Sequence, residues 1–129
     1  MFLLGEEEDG VRVVKEVVFY DDLDRHAYVT GVCVLHADEF AKLWAICREK
    51  KLSVVADVHL HGGGAGQSES DRTNPMVARS GHIAIIVPNL ARMPVHMKCL
   101  GIYRYEGSHR WADFSGTRAP RFFYAGFWS

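Results

Sequence analysis

The residues with the strongest chemical potential lie in one stretch of the chain, Val58-His59-Leu60-His61 followed by a glycine-rich loop and Ser68-Glu69-Ser70-Asp71. Side chains of a strand alternate between its two faces, so His59 and His61 project from the same face and can share one metal ion. Asp71 stands ten residues beyond His61, past a loop with enough glycine to swing it back toward the strand end. Two neutral imidazoles and one carboxylate form a catalytic type of zinc set, which leaves a fourth position for water acidified toward a pKa of about 7. The plainer alternative, two polar residues on one strand face, is weakened by position. The motif falls where an apolar strand meets a glycine loop, a place where reactive groups are displayed on a rigid scaffold.

The elements that must position this set follow from the patterning. Leu52–His61, with Val54, Val55, Ala56 and Val58, reads as a central strand, and His82–Val87, ended by Pro88, as another. Met1–Gly5 reads as the end of a strand already in progress, Gly5–Gly10 as an acidic hairpin turn, and Val11–Tyr20 and Tyr28–Leu35 as further strands of an antiparallel meander around a polar loop at Asp21–Arg25. Phe40, Leu43, Trp44 and Cys47 fall on one helical face, with Asp38 suited to cap its start and Trp44 expected in the core. Gln67–Asn74 is a polar segment and Asn89–Lys98 irregular. Leu100–Tyr105 and Arg110–Phe114 form a hairpin with alternating aromatics, on which Trp111 packs. Phe122–Trp128 is a final strand, an aromatic tail or a partner-docking segment. The expected fold is a single α+β domain dominated by one mixed sheet flanked by helices.

Composition narrows the function. The 129 residues amount to one domain, 48% hydrophobic and 24% charged. Fifteen Lys and Arg against sixteen Asp and Glu give a formal charge of -1, which offers no electrostatic basis for nucleic acid or an anionic membrane. Neither a membrane span nor a signal peptide is evident, so a soluble cytoplasmic protein is expected. Cys33, Cys47 and Cys99 are odd in number and lack a CxxC, the pattern of three buried, reduced thiols. His26, His36, His96 and His109 read as surface residues and His82 as core. The glycine loop is not a phosphate cradle, because Gln67 stands where a P-loop requires Lys and no dinucleotide-binding helix follows.

The run His59-Leu60-His61 with Ser68-Glu69-Ser70-Asp71 resembles the H-x-H, spacer, S-x-x-D signature of the JAMM (JAB/MPN domain) zinc metalloproteases, which include deubiquitinating isopeptidases and bacterial relatives. The order of elements is similar over most of the chain, although Gly62 replaces a common Pro and the spacer is slightly shorter. The resemblance implies a JAB/MPN, cytidine-deaminase-like architecture over residues 1–129, with Zn2+ held by His59, His61 and Asp71. It also implies that Ser68 hydrogen-bonds the zinc-bound water or the oxyanion, unless it only caps a turn or helix near Asp71. The implied activity is cleavage of a peptide or isopeptide bond at the C-terminus of a ubiquitin-like or sulfur-carrier protein, alongside an adenylating enzyme of the same pathway. A homo-oligomer is compatible with it.

The family's general-base Glu aligns upstream of Met1, together with an opening helix and half a strand. Glu6, Glu7 and Glu8 are expected past the end of the first strand. A start assigned too far downstream, a shortened chain of weak activity, or completion by another chain each accommodates this. A catalytically silent JAB-like scaffold that keeps the metal is the competing expectation, and a metal-binding protein of unrelated fold the third.

Overall fold

The computed structural model describes residues 1–31, 33–122 and Tyr124. Six strands, β1 (Phe2–Glu8), β2 (Val11–Val18), β3 (Ser53–Leu60), β4 (Ile83–Val87), β5 (Gly101–Gly107) and β6 (Arg110–Asp113), form one sheet in the order β2-β1-β3-β4-β5-β6. With α1 (Tyr20–Leu23), α2 (Ala37–Lys50), α3 (Glu69–Thr73) and α4 (Ala119–Phe122) the architecture is α+β, as the patterning predicts. The chain divides into two compact units, Met1–Asp57 and Val58–Ser129, so β3 begins in the first and ends in the second.

In the first unit β1 pairs antiparallel with both β2 and the start of β3. β1 runs through Glu8, so Glu6, Glu7 and Glu8 are exposed strand residues facing Arg12 and its neighbours, not residues beyond the strand end. The turn shrinks to Asp9 and Gly10, at φ 50° and 77°. Two successive positive φ values match the twist of a two-residue hairpin, which is why Asp-Gly suffices. Asp21 and Asp22 lie in α1 rather than a loop, because the Asp22 carboxylate accepts the Phe19 N–H at 3.0 Å and closes the helix start.

Tyr28–Leu35 contains no strand among its described residues. Its backbone is satisfied locally, by Ala27 N–H to Asp24 O (3.0 Å), Val29 to His26 (3.1 Å) and Gly31 to Tyr28 (2.9 Å), with Gly31 at φ 77°. A run of turns has thus captured a segment whose β-branched residues favour extension. Beyond it, α2 begins at Ala37 with His36 as N-cap, because the Glu39 carboxylate reaches back to the His36 N–H at 3.1 Å; Asp38 sits inside the first turn. Leu43 and Cys47 are buried on its inner face, whereas Trp44 is 38% exposed and stacks on Phe40 at 6.2 Å. Of the thiols only Cys47 is buried. Cys33 is half-buried, its thiol pushed up to about 11 by burial, and Cys99 is exposed.

The second unit is built on β4, buried along its whole length, and on the β4-β5-β6 antiparallel ladder. The hairpin Gly101–Asp113 agrees with the aromatic alternation, and Tyr105 pairs with Trp111 across it. His82 is 5% exposed, a core histidine, whereas His26, His36, His96 and His109 are exposed. Phe122 ends α4 and stacks on Phe114 at 4.2 Å, which removes it from a final strand. The rest of the expected aromatic tail, Tyr124 apart, lies outside the described residues. Among the described residues no helix is long and apolar enough to cross a membrane.

Candidate metal centre

All the residues singled out for chemistry fall in the second unit, at the end of β3 and the start of α3. The run Val55–Val58, apolar but for Asp57, is buried, and it delivers His59 and His61 to one partly exposed face with ring centroids 5.1 Å apart. The main chain of His61 is held from both sides, its N–H donating to Val87 O at 2.9 Å and its C=O accepting the Leu90 N–H at 2.8 Å. The Leu90 amide comes from Asn89–Ala91, three successive residues at φ 51–57°, a left-handed path with a strain cost for side-chain-bearing residues. Asn89 N–H in turn donates to Gly63 O at 2.9 Å. Strain in that turn therefore serves to fix the strand end that carries the second histidine.

The loop 62–66 is held as well. The Ala65 carbonyl accepts the Tyr103 hydroxyl at 3.1 Å and lies against Gly101, where a Cβ would stand 2.0 Å from the Ala65 oxygen. Only glycine lets β5 approach that closely. By contrast Gly62, Gly63, Gly64 and Gly66 face open space. With Leu60, His61, Gln67 and Ser68 they line an open cleft of about 620 Å³.

Past the loop the chain enters α3, and Ser68 is its N-cap. Asp71 N–H donates to Ser68 Oγ at 3.1 Å, while the Ser68 N–H and hydroxyl both donate to Asp71 Oδ2 at 2.7 Å. This reciprocal capping box turns the Asp71 carboxylate back toward β3. Asp71 Oδ1 lies 3.4 Å from His59 Nε2, and Oδ2 lies 3.2 Å from His61 Nε2.

His59, His61 and Asp71 thus each offer one ligand atom, all within 4.8 Å of one another. A tetrahedral ion with bonds of about 2.0–2.1 Å has ligand-to-ligand edges of roughly 3.3 Å. The two nitrogen-to-oxygen separations, which run to different oxygens of the Asp71 carboxylate, are each close to that edge, and two imidazoles with one carboxylate are donors that a divalent ion with a preference for nitrogen and oxygen takes. The three sequence-predicted ligands converge, and Ser68 touches one of them. Missed in the sequence were Gly101 and Tyr103, which hold the loop, and Trp111, whose Nε1–H donates to the Arg72 carbonyl at 3.1 Å. Their acceptors are main-chain oxygens, which leave no mark in a sequence pattern.

The fold and site define an α+β chain with a candidate His-His-Asp metal centre at a strand end. The name of one relative is consistent with it. The chain is 29% identical over 112 residues, 85% of its own length and 68% of the relative's, to a Sinorhizobium fredii protein named probable metalloprotease y4jG. No family model matches the chain.

Proposed function

We propose that this protein is a metal-dependent peptide hydrolase of the JAMM type that uses zinc. The convergence of His59, His61 and Asp71 on one point at the edge of an open cleft carries this reading, and the likeness to a named metalloprotease supports it. A zinc ion bound there supplies Lewis acidity toward a carbonyl oxygen and a water acidified to near neutrality. Neutral His59 and His61 would bind it through Nε2, and Asp71 through its carboxylate. Ser68 aims Asp71 through the capping box, and its hydroxyl, which donates to Asp71 Oδ2, would have to turn away from that carboxylate to donate to an oxygen that gains negative charge during acyl transfer. The open glycine strip, without side chains, admits an extended peptide backbone close to the histidines.

By the JAMM resemblance the substrate is the C-terminal segment of a ubiquitin-like or sulfur-carrier protein, cut at a peptide or isopeptide bond. The test is metal analysis of the purified protein, followed by cleavage of a ubiquitin-like fusion by this chain and by the same chain extended through its upstream codons. Stoichiometric zinc with cleavage that His59→Ala abolishes supports the enzyme. Zinc without cleavage by either form favours a scaffold that keeps the metal. Absence of zinc removes both.

A further inference from the structure

We infer that Trp111 is a positioning residue for the metal centre, acting through the main chain of Arg72 on the neighbouring ligand Asp71. The inference rests on the metal-centre reading. α3 has only five residues, far below the length at which a helix holds itself together in water. Its N-terminal end is closed by Ser68, but that closure runs through the carboxylate and the amide of Asp71, so Ser68 and Asp71 can move as one body. A fixed reference must come from elsewhere.

The Trp111 indole supplies one. Carbonyls in the last turn of a helix have no acceptor role within it, and the Arg72 carbonyl, one residue past Asp71, takes the Trp111 Nε1–H at 3.1 Å. The indole is itself held by the β5-β6 hairpin. It lies 4.9 Å from the ring of Tyr105, its cross-strand partner, and Tyr105 is buried with its hydroxyl accepting the His109 N–H at 3.2 Å. A continuous path therefore leads from a rigid hairpin through one indole N–H to the peptide beside Asp71. Groups that orient metal ligands from outside the coordination sphere commonly change metal affinity by about 10- to 100-fold. Coupling of this kind is reciprocal, so bound metal must tighten the Trp111 contact in turn.

Trp111→Phe keeps an aromatic ring against Tyr105 and removes the N–H donor together with part of the indole's bulk, the loss of bulk being read by the melting temperature. Zn2+ titration against a chromophoric chelator is expected to give an affinity roughly tenfold below wild type, with an unchanged circular dichroism spectrum. A side chain that merely packs the hairpin would lower the melting temperature and leave zinc affinity alone, and equal affinities overturn the positioning role while the metal centre stands. A wild type that takes up no zinc overturns the metal centre, and the positioning role falls with it. Should the variant not fold, wild-type NMR decides. Exchange of the Trp111 indole proton, distinguished from Trp44 and Trp128 by Trp44→Phe and Trp128→Phe, must slow on addition of Zn2+, and an unchanged rate refutes the coupling.

Discussion

The Ser68 hydroxyl and the Asp71 carboxylate bind each other, Oγ to Oδ2 at 2.7 Å, while the Asp71 amide returns a bond to Ser68 Oγ at 3.1 Å. One pair of side chains thus both starts a helix and aims a candidate ligand. Ser68→Ala is expected to cost about 1 kcal/mol of stability through the lost cap and to weaken zinc binding by about tenfold through a freed carboxylate. Ser68→Thr, which retains the hydroxyl, should recover most of both. Urea unfolding and chelator competition measure the two effects, and a Ser68→Ala protein that binds zinc as tightly as wild type would show that the cap does not position Asp71.

His59 and His61 stand in a different relation to stability. Their neighbourhood is only partly buried, so their removal should do little to the metal-free fold while abolishing the gain from metal. At zinc concentrations a hundred times the dissociation constant, binding stabilises by about 2.7 kcal/mol, a rise in melting temperature of roughly 10 °C for a chain of this size. Wild type should lose that increment on addition of a chelator, and His59→Ala and His61→Ala should lack it from the start. Identical chelator responses in all three proteins would contradict a shared site.

The candidate ligands were legible because they use the simplest of structural rules. His59 and His61 share a face through the two-residue period of a strand, and the β-branched residues Val54, Val55 and Val58 mark that strand. The JAMM-like spacing added Asp71 and Ser68. What failed were segments where local hydrogen bonds overrode composition. Tyr28–Leu35 is rich in β-branched residues, yet the amides of Ala27, Val29 and Gly31 each donate to a carbonyl three residues back, in successive turns. Trp44 lies on the predicted apolar face but at its margin, because the buried stripe of α2 is only as wide as Leu43 and Cys47. The supports of the site, Gly101 under Ala65 and Trp111 on Arg72, contact main-chain atoms that every residue possesses, so nothing in residue type announces them.

The two classes of glycine around the cleft predict opposite responses. A methyl at Gly101 would meet the Ala65 oxygen at 2.0 Å, and relief requires either β5 or the loop to move. Gly101→Ala should therefore destabilise by about 1–3 kcal/mol and displace the loop that carries the cleft. Gly63 faces open space, so Gly63→Ala should leave stability unchanged or raise it by about 0.4–1 kcal/mol by restricting the unfolded chain. Chemical denaturation of the two variants side by side tests this, and equal costs would mean that the close approach of β5 to Ala65 is not a constraint.

Tyr20 and Asp57 make a buried pair in the first unit, with the hydroxyl 3.5 Å from Asp57 Oδ2 and Asp57 only 1% exposed. Burial first, and then the Asp57 charge, push the Tyr20 phenol above its ordinary value of 10.0. Below pH 10 the phenol is protonated in both folded and unfolded chains, and its contribution to stability is constant. Above pH 10 the unfolded chain releases the proton while the folded one retains it, so stability must fall as pH rises, by at most about 1.4 kcal/mol per pH unit. Tyr20→Phe removes that slope. At pH 7 the variant should be less stable by about 1 kcal/mol because it gives up the bond to a buried carboxylate, and at pH 11 the gap should have closed or reversed. Tyr28, also raised by burial, is present in both proteins and cancels. Urea midpoints at pH 7, 10 and 11 provide the comparison, and parallel curves across that range would show that the Tyr20 proton is not what ties the fold to alkaline pH.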